Sequence, residues 1–101
     1  GRGEENIRIC GTHTVVENMR HGMEPAEACL DALKRVARNY DDDRERLSET
    51  GLSFYALRKD GKYAVASLWD REGNDSRQRA KFTVNDGGKS RAEDSVYLFE
   101  R

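Results

Sequence analysis

Residues 1–29 read GRGEENIRICGTHTVVENMRHGMEPAEAC, and this stretch decides the fold. It opens on a glycine turn, Gly1-Arg2-Gly3-Glu4, that runs into an amphipathic pattern. Ile7, Cys10, Gly11, Thr14, Val15 and Met19 recur at three- and four-residue spacing, which predicts one helix over about 4–21. Glu4 and Glu5 stand at its positive end, Arg20 and His21 at its negative end. Gly22 suits the left-handed position that stops a helix. Pro25 suits the first position of a second helix over about 25–39, whose stripe is Ala28, Cys29, Ala32, Leu33, Val36, Ala37 and Tyr40. The short connection makes the two helices roughly antiparallel. Gly11 costs helix stability and is expected where another element packs closely. The opening turn has two readings. It is either a plain tight connection or a place where backbone N–H groups face an anion or oxyanion.

Outward from this stretch the period changes. Strands are expected at about 52–58 and 63–69, joined by Lys59-Asp60-Gly61-Lys62, a hairpin turn signal. Phe54, Ala56, Val65 and Ser67 are assigned to one face and Tyr55, Leu57, Ala64, Ala66 and Leu68 to the other. Both faces are then apolar, as in a sheet covered on each side. Two further strands are expected at about 80–84 and 96–99, with a polar excursion from Asn85 to Ser95 between them. Asp41–Thr50 and Asp70–Gln78 read as polar loops. The fold class is α+β: two helices followed by antiparallel strands.

Composition narrows the function. Charged residues make up 37% and hydrophobic ones 36% of 101 residues, and mean hydropathy is −0.96. That is polar for a chain closing its own core, so it reads as a piece or subunit sharing its core with another chain. A small, very polar independent domain is the other reading. Net charge is −1, with both signs interspersed, so no basic face points to nucleic acid. No apolar run is long enough to span a membrane as a helix. The chain starts at Gly1 without Met, and that start is expected to be made by processing or proteolysis.

No complete catalytic set stands in the sequence. His13 and His21 lack a Ser or Cys arrangement that would form a triad and read as packing and helix-end residues. Glu4 and Glu5 read as helix-start charges. Asp41-Asp42-Asp43 fails the calcium-loop spacing, and Gly87-Gly88 lacks the following phosphate-binding signature. Cys10 and Cys29 fit no metal spacing and read as small buried hydrophobes on helical faces. No metal and no organic cofactor is expected.

The runs GRGEENIR, GTHTVVENMRHG and EPAEAC resemble the C-terminal part of the β-subunit of glycosylasparaginases, a family that includes plant-type asparaginases and isoaspartyl peptidases. The resemblance is dense over Gly1–Val36 and thin beyond it. It implies a segment of the four-layer αββα fold of the N-terminal nucleophile hydrolases. In that family the precursor cleaves itself, and the new N-terminal Thr of the β-subunit becomes the nucleophile. That Thr would lie upstream of Gly1, so the chain alone is expected to be inactive.

By the same resemblance, Gly1 matches the glycine whose backbone N–H helps form the oxyanion hole. Gly3 matches the glycine whose backbone touches the substrate's amino-acid part, and Arg2 occupies a variable position at the site mouth. The implied reaction is hydrolysis of the side-chain amide of N4-(β-N-acetylglucosaminyl)-L-asparagine. L-asparaginase or β-aspartyl peptidase activity of the same family is the nearer alternative, and a non-catalytic α+β interaction module the more distant one. The implied partners are the rest of the β-subunit and the α-subunit, in a hetero-oligomer of processed chains, with a small asparagine-type substrate and neither nucleic acid nor membrane. The implied compartment is periplasmic or secreted in bacteria and lysosomal in animals.

Overall fold

The computed structural model describes residues 3–71 and 78–101. Helices α1 (Gly3–Arg8), α2 (Gly11–Arg20), α3 (Pro25–Arg38) and the single turn α4 (Arg44–Leu47) come first. Strands β1 (Ser53–Leu57), β2 (Tyr63–Trp69), β3 (Lys81–Asn85), β4 (Ser90–Asp94) and β5 (Val96–Phe99) follow, so the class is α+β. One sheet has the order β1-β2-β5; β3 and β4 form a separate hairpin.

The stripe of α3 builds the core. Ala28, Cys29, Ala32, Leu33, Val36 and Ala37 are all at most 1% exposed. Four of the six are Ala or Cys, so the helix axis comes close to the sheet and meets Phe54, Ala56, Ala66 and Leu68 in one cluster. Burying a larger member such as Leu33 contributes about 1.5–3 kcal/mol. Asn18 ties α2 to α3 by donating to Ala28 O at 3.2 Å and to the Asp31 carboxylate at 2.9 Å. Gly22 ends α2 with a φ of 98°, the left-handed backbone that glycine adopts without strain.

The first helix differs from its sequence expectation. In place of one helix over 4–21, α1 and α2 meet at a break where Cys10 takes a left-handed φ of 48°. Gly11 supplies the reason: a Cβ there would lie 2.6 Å from Phe54 Cε1 and would also collide with Asn6 Oδ1. The chain turns at Cys10, and Gly11 sits against the Phe54 ring. The Thr14 hydroxyl donates to Ile9 O at 2.8 Å, satisfying a carbonyl that the break frees. The break also turns Cys10 out to solvent, contrary to the buried position expected for it, while Cys29 is buried.

The sheet corrects two further expectations. The register pairs Phe54 with Ala66 and Tyr55 with Val65. Phe54 and Ala56 therefore share a face with Ala66 rather than with Val65 and Ser67, because a slip of one residue exchanges the faces. On the other face of β1, Tyr55 is 70% and Leu57 74% exposed, so that strand is not covered on both sides among the described residues. The β2–β5 pair is parallel, which makes the sheet mixed. Parallel entry of β5 follows from the β3–β4 hairpin, which lies between β2 and β5 in the chain and returns it at Ser95. There the Ser95 hydroxyl donates to Ala80 O at 3.1 Å and lies 3.0 Å from Ser67 Oγ.

Two stretches expected as loops carry structure. The Asn85–Ser95 excursion contains β4, turned by Gly87 at a φ of 103°. The Asp41–Thr50 linker contains α4, where the Asp43 side chain accepts from Glu45 N and Arg46 N, and it delivers fully buried Leu47 to the core. Most of the polar stretch Asp70–Gln78 lies outside the described residues.

Two predictions follow from this packing. Gly11→Ala is expected to destabilise the fold by about 1–3 kcal/mol despite alanine's better helix propensity, because the methyl overpacks the Phe54 contact. Gly3→Ala, with no atom within 4 Å of the added Cβ, should be near neutral in the same thermal melts. For the thiols, burial pushes Cys29 from 9.0 up to about 11. Its neutral form therefore stabilises the fold below pH 9 and loses that contribution as pH rises towards 11. Iodoacetamide at pH 8 should modify Cys10 in the native chain and Cys29 only after unfolding, as read by peptide mass mapping.

Candidate functional site

The residues singled out by sequence lie at the N-terminal corner. Gly1 and Arg2 fall outside the described residues. Gly3 is the first residue of α1 and is exposed. A Cβ added there would meet nothing within 4 Å among the described residues, so no packing against them requires glycine. The backbone at Gly3 is open to an approaching group.

Behind Gly3 the two acidic residues separate. Glu4 is exposed, whereas Glu5 is 3% exposed and is not the solvated helix-start charge expected of it. Its Oε1 accepts from the Tyr40 hydroxyl at 2.7 Å. Tyr40 follows the end of α3 and carries the Arg46 guanidinium 5.3 Å above its ring. A carboxylate taken this far out of water needs hydrogen-bond donors for both oxygens, since burial without them is costly. Glu5 Oε2 and the neighbouring Asn6 Oδ1 are nevertheless buried without a hydrogen-bond partner among the described residues. Sequence reasoning missed Glu5. Its signal was the helical period: Glu5 lies two residues before Ile7 and opposite it, and Ile7 is 77% exposed. The short α1 therefore presents its polar side inward.

The other titratable groups do not converge. His13 is exposed on α2; His21 caps its C-terminal end with Nδ1 3.0 Å from Glu17 O. Neither reaches the hydroxyl chain Ser53–Ser67–Ser95, whose links are 2.9 and 3.0 Å long. These serines lie on the sheet with no histidine beside them, so they form no nucleophile–base pair. No cluster of metal-ligating side chains occurs among the described residues. Asp41 and Asp42 take left-handed backbone, and Asp43 is used as a helix cap. No helix among the described residues is long and apolar enough to cross a membrane.

What this geometry offers is a rigidly backed corner: an open glycine backbone in front and a hydrogen-bonded carboxylate behind. It holds no nucleophile and no general base within hydrogen-bond reach of one another among the described residues.

Comparison with known proteins places this corner in context. The chain is 39% identical over 70 residues to N(4)-(β-N-acetylglucosaminyl)-L-asparaginase of Elizabethkingia miricola, a match covering 69% of this chain and 21% of that relative. It is 45% identical over 42 residues to probable isoaspartyl peptidase/L-asparaginase 3 of Arabidopsis thaliana, covering 42% of this chain and 12% of that relative. The matched stretch is thus about one-fifth of the first relative's length. No protein-family model matches the chain.

The Glu5–Tyr40 bond gives the prediction of this site. Tyr40→Phe removes a donor to a buried carboxylate and should lower stability by about 1.5–3 kcal/mol, the range for hydrogen bonds to charged groups. Denaturant titration at pH 7 checks it, with Tyr97→Phe, at an exposed tyrosine–glutamate pair, expected to change little.

Proposed function

Because this chain belongs to the glycosylasparaginase and asparaginase family of N-terminal nucleophile hydrolases, we propose that it is the C-terminal segment of the β-subunit of an amidohydrolase. The observation that carries this reading is the 39% identity over 69% of the chain to a glycosylasparaginase. In the parent enzyme, α1–α3 would contribute to an outer helical layer and β1, β2 and β5 to an inner sheet of the four-layer fold.

The proposed substrate is the side-chain amide of N4-(β-N-acetylglucosaminyl)-L-asparagine. The nucleophile is an N-terminal Thr exposed by self-cleavage upstream of Gly1. Its α-amino group takes the hydroxyl proton as the oxygen attacks the amide carbonyl. The resulting oxyanion accepts from backbone N–H groups, Gly1 among them, while Gly3 offers backbone to the amino-acid end of the substrate. The open space at Gly3 supports that role, because no atom of the described residues lies within 4 Å of where a Cβ would stand. The intermediate collapses with protonation of the departing glycosylamine, leaving an aspartyl ester on Thr. Water hydrolyses the ester, releasing aspartate and regenerating the hydroxyl. The Thr amine serves as the base throughout. Arg2 would stand at the mouth of the site.

The match to an isoaspartyl peptidase/L-asparaginase favours a second reading within the family, aspartate release from asparagine or isoaspartyl peptides. Assaying aspartate release from glycosylasparagine, asparagine and an isoaspartyl dipeptide separates the readings, and release from none of them overturns both. In the parent enzyme Gly1→Val is expected to lower kcat on the order of 100-fold, because the added side chain blocks the close approach of the oxyanion to the backbone N–H. Gly3→Val should raise KM while leaving the melting temperature unchanged. Native mass spectrometry should find the 11.5 kDa chain travelling with a polypeptide that begins with Thr.

A further inference from the structure

A groove of about 430 Å³ runs between α2 and β1. One wall is the continuous run Leu52 to Leu57. Consecutive residues of a strand point to alternate faces, so a cleft that touches all of them flanks the strand's backbone edge and not one of its faces. The other wall is Thr12, Val15, Val16 and Met19, one helical face at i, i+3, i+4 and i+7. Val16 is 46% exposed there.

The hydrogen-bond pattern says which backbone groups the groove receives. Leu68 N donates to Leu52 O at 2.9 Å and Arg58 N to Lys62 O at 2.7 Å. With Phe54 opposite Ala66 and Ala56 opposite Ala64, the even residues of β1 exchange hydrogen bonds with β2. Ser53, Tyr55 and Leu57 therefore turn N–H and C=O outward. β1 is the last strand on this side of the sheet. No backbone hydrogen bond among the described residues reaches those outward groups.

Edges left open in water are normally protected by charge, proline or a bulge. β1 reads SFYAL, with none of these and an unbroken register. The groove has no charged residue in its lining. The uncharged lining and the outward backbone groups together fit an extended peptide strand.

We propose that this groove is a strand-addition site, taken by an extended, proline-free segment of the remaining polypeptide of the parent hydrolase. That segment pairs with Ser53, Tyr55 and Leu57 and lays apolar side chains under Val16 and Met19. The choice of occupant rests on the family reading above, since most of the length of the glycosylasparaginase relative lies outside the matched stretch.

Amide hydrogen exchange tests the site. In the isolated chain, the Tyr55 and Leu57 amides should exchange more than about tenfold faster than those of Phe54 and Ala56, and in the assembled parent that difference should disappear. Val16→Glu, at an exposed position, should leave the melting temperature of the isolated chain unchanged and reduce recovery of the assembled parent. Tyr55 and Leu57 amides that stay fast in an active parent would overturn the proposal while leaving the enzymatic reading intact. Protection in a parent that releases no aspartate would uphold the site and remove the enzymatic reading. An isolated chain that is dimeric, with these amides already protected and released by Val16→Glu, would make a second copy the occupant and overturn the proposal as stated.

Discussion

Close approach of α3 to the sheet is the constraint on which the rest of the structure depends. A helix reaches this near to strands only if its facing residues are small, and Ala28, Cys29, Ala32 and Ala37 leave that room. Leu33 then fills the space in the cluster it shares with Phe54, Ala66 and Leu68. With mean hydropathy at −0.96, the chain has little apolar surface to distribute. It concentrates that surface in one helix and the central strand, where Val65 through Trp69 are all buried.

The N-terminal corner is shaped by that same packing. Phe54 projects from β1 toward the helices, and only glycine at position 11 lets α2 pass over its ring. The helix breaks at Cys10 to make the contact, and α1 is redirected so that Glu5 turns inward to Tyr40. In the role proposed for Gly3, its backbone has to be held without side-chain bulk at its surface, and this arrangement fits that role. The supporting contacts lie behind α1, and the face at Gly3 stays open.

Charge contributes differently. The ion pairs of the hairpins, such as Lys81–Asp94 and Arg91–Asp86, are mostly exposed, so each adds little stability. Their effect is on register and solubility. Glu24 pairs across the fold with Lys62 and Arg58, which joins the β1–β2 turn to the start of α3. Around it the left-handed Gly61 and the Asp60 side chain, which accepts from Lys62 N, set the hairpin geometry.

The family, the α+β class, the α3 stripe and the Asp60-Gly61 turn were all legible in the sequence. Each is written in local chemistry: a motif run, a 3.6-residue period, a left-handed glycine. The break at Cys10, the faces of β1 and β2, the parallel β5, the hairpin strand β4 and the burial of Glu5 were not. Those depend on which residues meet across space. The helical period through Ile7, Cys10 and Thr14 is continuous, and only the Phe54 ring interrupts it. Alternation along β1 and β2 defines two faces for each strand, but only the register decides which faces match. Glu5 and Glu4 are equivalent as helix-start charges until the Tyr40 hydroxyl, 35 residues beyond Glu5, donates to Glu5. The sequence by itself determined the periodicities and the family, because these are properties of neighbouring residues. Tertiary structure alone decided breaks, register and buried charge, because these are properties of residues that are distant in the chain and adjacent in space.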